Sequence, residues 1–176
     1  MKEKGLSLLE VSLAITFLTL SLSFYWKSKG DELNFDYAKE LSSIVKEHAT
    51  ALSQYLQANP NTPHSGYINI NDVYKNSNLP LRADGNDIGS YKIFFLVSKH
   101  GNGLVILSGT SRRNNLSERI YTNLGYLAAK AENDHIYSFG KYIKYNKGDF
   151  PALPQDILAM SITPPIITPA YIKGSN

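Results

Sequence analysis

The sequence predicts an α+β protein in which one long amino-terminal helix carries a head of antiparallel sheet on its carboxy-terminal half. Three observations predict it. No residue from Val11 to Trp26 is charged, and apolar residues then recur at three- and four-residue steps with no proline before Pro60. Two runs rich in β-branched and aromatic residues, YKIFFLV (91–97) and GLVILS (103–108), flank the turn signal KHGN. The order of signals is long helix, short helix, strand pair, helix, strand, which buries its apolar faces best as a sheet laid on the first helix.

Each element has its own warrant. Leu33, Tyr37, Leu41, Ile44, Val45, His48, Leu52, Tyr55 and Leu56 form the apolar stripe of the first helix, and QANPNTPHSG ends it. A helix from Leu6 to about Gln57 would be about 75 to 80 Å long at 1.5 Å per residue, with Gly30 at the joint between its halves. YINI (67–70) reads as a short strand, and NDVYKNSNLP as a short helix capped by Asn71 and closed before Pro80. RADGNDIGS is a turn cluster. NNLSERIYTNLGYLAAKA reads as helix, with Leu116, Ile120, Leu124 and Leu127 on one side. HIYSFGKYIKYN (135–146) supplies one or two closing strands. From Phe150 onward the prolines Pro151, Pro154, Pro164, Pro165 and Pro169 predict an extended, irregular tail.

The totals narrow the function. A chain of 176 residues suits one ordinary domain. A formal charge of +3, with its positives dispersed, offers no basic stripe for nucleic acid. The absence of cysteine removes thiolate catalysis, thiolate metal sites and disulfides. His48, His64, His100 and His135 are far apart in sequence, with no pair at ligand spacing. DGND (84–87) lacks the alternating ligands and distant Glu of an EF-hand loop and reads as turn chemistry. GNG (101–103) joins strand to strand and is no phosphate cradle, and SGTSRR (108–113) has no GxSxG frame. His100 reads as a surface residue beside a turn. KYIKY (141–145) places Lys141 and Tyr145 on one solvated strand face. No nucleophile, base and orienter come together, so neither an enzyme, a cofactor nor a metal site is expected.

The amino terminus, MKEKGLSLLEVSLAITFLTLSLSFYW, admits three readings. A cleaved signal peptide needs small residues after the apolar stretch, where SFYWKSKG stands instead. A plain membrane anchor accounts for the length and for an interfacial belt of Phe24, Tyr25 and Trp26 before Lys27 and Lys29. It leaves Glu10 unexplained, because a carboxylate in lipid costs a few kcal/mol.

The third reading explains Glu10. KGLSLLE, behind a short charged leader and ahead of an apolar run, resembles the processing site of type IV pilins and pseudopilins. The resemblance implies cleavage by a prepilin peptidase between Gly5 and Leu6 and N-methylation of Leu6. It also implies that Glu10, then the fifth mature residue, pairs with the Leu6 ammonium of a neighbouring subunit, or with its own before assembly. A Leu start and the run ending in FYWKS are most similar to the type IVb, bundle-forming group, although the five-residue leader is shorter than usual there.

The later elements resemble the constant region of shufflon-type minor pilins over residues 6 to about 160. Type IVb major pilins usually carry a carboxy-terminal cystine loop, so a cysteine-free chain favours a minor pilin or an initiating subunit. The implied organisation is a prepilin leader (1–5), a transmembrane and filament-core helix (6–29), a pilin head (30–160) and a Pro-rich tail (161–176). The implied function is structural: a subunit of a type IVb pilus, first in the inner membrane with its head in the periplasm, then in the extracellular filament. Its partners would be other pilin subunits, the prepilin peptidase, the assembly machinery and lipid. A type II secretion pseudopilin and a membrane-anchored binding module that never assembles are the alternatives.

Overall fold

The computed structural model describes residues 7–60, 65–75, 77, 79–80, 87–111, 113, 115–141 and 143–163. Two compact units divide the chain between Tyr37 and Ala38. Helix α1, Leu8–Ala58, is 51 residues long and contributes to both. Its end is set by Asn59, whose backbone and side-chain N–H groups both donate to the Tyr55 carbonyl, ahead of Pro60.

Within the second unit, α1 buries Ala38, Leu41, Ile44, Val45, Ala49, Leu52, Tyr55 and Leu56, along with Ser42 and His48. The predicted stripe is therefore covered from Ala38 onward, whereas Leu33 is 63% exposed. Strands β1 (Gly66–Ile68), β2 (Asp87–Ile88), β3 (Tyr91–Val97), β4 (Gly103–Ser108), β5 (Ala128–Glu132), β6 (His135–Ser138), β7 (Lys144–Asn146) and β8 (Ile157–Ile162) form one sheet. The order is β1-β3-β4-β8-β5-β6-β7, with β2 beside β3, and every pairing is antiparallel. This is the α+β layout expected: a long amino-terminal helix and an antiparallel head on its carboxy-terminal part.

The sheet is covered on both faces, which is why β4 reads as a continuous apolar run rather than an alternation. Phe95 meets His48 of α1 on one face. On the other, Leu96, Leu104, Ile106, Ala129, Ile136, Met160 and Ile162 form a cluster with Phe150 and Leu153. The proline-containing stretch before β8 thus supplies side chains that cover a sheet face. The Tyr67 hydroxyl donates to the Ala152 carbonyl at 2.6 Å, tying the same stretch to β1.

The β3–β4 hairpin forms as predicted, closed by Ser98 N–H donating to the Asn102 carbonyl at 2.9 Å, with Gly101 at φ 77°. Four expectations need correction. The short helix α2 (Ile70–Lys75) takes the last residue of YINI and is capped by Asn69, not Asn71. The Asn69 Oδ1 accepts from Asn71 N–H, and its carbonyl accepts from Asp72 and Val73. Helix α3 stops at Leu124, where Gly125 takes φ 61°, and AAKAE becomes β5 paired along β6. The tail from Phe150 is not irregular throughout: β8 lies between β4 and β5, because ILAMSI holds no proline and can bond on both edges. The tail boundary at 161 therefore falls inside a strand, and residues 164–176 lie outside the described residues. Lys141 belongs to a 3₁₀ turn between β6 and β7, at φ 59°, and shares no strand with Tyr145.

Candidate functional site

The candidate site is the start of α1. Gly5 and Leu6 lie outside the described residues. Glu10 sits in the first turn of α1, where the sequence places it. Ser7 N–H donates to Glu10 Oε2 at 2.8 Å, and Glu10 N–H donates to Ser7 Oγ at 3.3 Å. The two residues satisfy each other's backbone in a reciprocal cap, and the carboxylate lies where the positive end of the helix dipole favours it. Ser7 went unnoticed in the sequence although Ser-x-x-Glu before an apolar run is the signature of this cap. The cap uses one carboxylate oxygen and leaves Oε1 with acceptor capacity among the described residues.

Behind the cap, α1 carries exposed apolar side chains on all sides, including Leu13, Phe17, Leu18, Leu22, Phe24 and Trp26. Its most apolar 18-residue window has a mean hydropathy of 1.7 and is 0% buried, so this helix is long and apolar enough to cross a membrane. The hydroxyls in it are satisfied internally. Thr16, Thr19, Ser21 and Ser23 each donate to the carbonyl four residues back at 2.8–2.9 Å, and Ser12 to that of Leu9 at 3.0 Å. Such bonds reduce the cost of placing hydroxyls in hydrocarbon. Ser12, Thr16, Thr19 and Ser23 follow at steps of four, three and four, a strip of small side chains along one side. At 3.6 residues per turn Glu10 lies roughly 160° around the helix from Ser12.

The remaining candidates do not converge. His100, in the β3–β4 turn, is exposed, with Nε2 3.6 Å from a carboxylate oxygen of Asp149 in the 3₁₀ turn after β7. Lys141 pairs with Glu132 at 3.0 Å, an interaction that raises its pKa through the hydrogen bond and the nearby carboxylate. Of DGND only Asp87 is described, and it lies in β2. Among the described residues no group of three His, Asp or Glu is arranged to hold a metal ion.

Compared with known protein families, curated proteins and solved structures, the chain matches none.

Proposed function

We propose that this chain is a membrane-inserted subunit of a type IV pilus-like filament. More narrowly, it is a minor pilin of the type IVb kind, with Gly5 and Leu6 flanking the peptidase cut, Leu6 methylated and Glu10 acting in subunit assembly. The prepilin waits in the inner membrane with its head in the periplasm and then joins, or initiates, an extracellular filament. It has no catalytic role and needs no cofactor. One observation carries this reading: the sequence KGLSLLE runs into an exposed apolar stretch of α1, the helix whose later turns contribute to the core of an α+β head. Such a stretch calls for lipid or other helices around it. A carboxylate at its start is tolerable where it meets an opposite charge.

A membrane-anchored binding module is the second reading, favoured by the reciprocal Ser7–Glu10 cap, which gives the carboxylate a role inside its own chain. Mass spectrometry of protein made with a cognate prepilin peptidase separates the two. A pilin or pseudopilin begins at methylated Leu6 and loses that processing when Gly5 is replaced. A mature chain that still begins at Met1 overturns the assembly reading.

A further inference from the structure

His48 takes no part in the candidate site and lies deep in the head. It is 0% exposed, on the face of α1 that the sheet covers. Its neighbours three and four positions away on the helix, Ile44, Val45, Ala51 and Leu52, are all buried apolar residues. Phe95 of β3 stands edge-on to the ring, and the Tyr74 hydroxyl of α2 lies 2.7 Å from its Nδ1.

The charged groups on the elements around it are turned elsewhere. On α2, Asp72 and Lys75 are exposed, while Ile70, Val73 and Tyr74 are buried. Lys92 of β3 and Asp87 of β2, which pair, are exposed on the sheet face opposite Phe95. Val105 and Leu107 of β4 lie opposite Phe95 and Ile93 and share their face. On α1, Lys46 is exposed and Glu47 half-buried, and adjacent residues of a helix do not face each other. Among the described residues, the other buried titratable side chains on these elements are the phenols of Tyr55, Tyr74 and Tyr91. A phenol gives or accepts a hydrogen bond but brings no charge to balance a proton on the ring.

We propose that His48 is an acid-sensitive latch, which holds α2 on α1 while its ring is neutral and releases it when the medium is acidic enough to protonate the ring. Burial in apolar surroundings disfavours the charged imidazole, whereas a ring released to water takes its proton at about pH 6.5. The closed form therefore binds the proton less readily than the open form. Its stabilisation is intact above about pH 6.5 and is lost as pH falls below that value, by up to about tenfold in the closed-to-open ratio per pH unit. Helix α2 is where the loss registers, since six residues have no helical stability of their own and depend on the dock. Release uncovers Ile70, Val73 and Tyr74, an apolar patch that is buried in the closed form. The latch has this property whether or not the chain assembles into filaments.

The test uses the full chain in detergent micelles, followed by NMR. Titration of the His48 ring signal should give a midpoint well below the ordinary imidazole value of about 6.5. The N–H groups of Asp72 and Val73 donate to the Asn69 carbonyl at 3.1 and 3.2 Å and report on α2. Their protection from hydrogen exchange, relative to an unstructured peptide at the same pH, should fall about tenfold or more from about pH 7.5 to about pH 5. Ser98 N–H, bonded to the Asn102 carbonyl in the β3–β4 turn, should keep its protection. His48→Gln, which gains no proton in that range, should lose the pH dependence at Asp72 and Val73. A ring midpoint at or above the ordinary value overturns the proposal, and that measurement needs no variant. So does protection of α2 that is constant with pH, an equal loss at Ser98, which would be acid unfolding of the whole head, or an unchanged pH dependence in folded His48→Gln.

Discussion

The Tyr74 hydroxyl and His48 Nδ1 lie 2.7 Å apart in a buried hydrogen bond that ties α2 to α1. The His48 ring also stands edge-on to Tyr74 and Phe95, with centroids 5.6 and 5.5 Å away. A six-residue helix has no stability of its own, so its position depends on such side-chain ties. The bond also offsets the cost of placing an imidazole inside an apolar core.

Tyr74→Phe keeps the ring and deletes the hydroxyl. The expected cost is about 1 to 3 kcal/mol, the penalty for breaking a buried hydrogen bond, which lowers the melting temperature by several degrees. Tyr74→Ala also removes the packing and should cost about 3 to 5 kcal/mol. Thermal melts of the full chain in micelles, followed by near-ultraviolet circular dichroism, check both. An unchanged melt for Tyr74→Phe would show that the bond contributes nothing.

At Gly103 the backbone of β4 comes close to side chains of α1. A Cβ built there would meet the Thr163 Cγ2, and would lie 2.9 Å from Leu56 Cδ1 and 3.0 Å from Leu52 Cδ2. Thr163 is stiff at χ1, so the space cannot be recovered by a simple rotation. Gly103→Ala should therefore destabilise the head by about 1 to 3 kcal/mol through overpacking. Gly30, with open space around its Cα, serves as control: Gly30→Ala should leave the head's melt unchanged.

How much of this was legible in the sequence depends on how local each signal is. The β3–β4 hairpin was readable because two apolar runs and their turn are adjacent. The end of α1 was readable because Pro60 stops a long stripe. Strand β5 was missed because AAKA favours helix locally, and only pairing with Ile136 and Met160 makes it a strand. Strand β8 was hidden by its flanking prolines, which lie outside the six residues that bond. At the candidate site Glu10 stood out as a charge beside an apolar run, whereas Ser7 matters only through the geometry of the turn they share.

The two parts of α1 should respond differently to the same substitution. Leu52 is 0% exposed beneath the sheet, and Leu18 is 64% exposed in the apolar stretch. Leu52→Ala should cost about 2 to 5 kcal/mol and lower the head's melting temperature by many degrees. Leu18→Ala should leave that transition where it is. A Leu52→Ala protein that melts like the parent would mean that the head does not depend on this helix face.

Glu10 now has two candidate roles, and one pair of substitutions separates them. Glu10→Gln keeps an oxygen that accepts from Ser7 N–H, so the cap survives while the charge is lost. Glu10→Ala loses both, at about 0.5 to 2 kcal/mol of helix-terminal stability, the range for a lost cap. If the carboxylate is there to meet the Leu6 ammonium of a neighbour, both variants should be processed, fold with the parent's head melt, and incorporate poorly into filaments. Ser7→Ala, which weakens the cap and keeps the charge, should incorporate better than either. If the cap is the whole purpose, Glu10→Gln should match the parent and Ser7→Ala should fall with Glu10→Ala. The measurement is the fraction of processed subunit recovered in sheared filaments. Parent-like recovery of Glu10→Gln would remove charge pairing from the account of assembly.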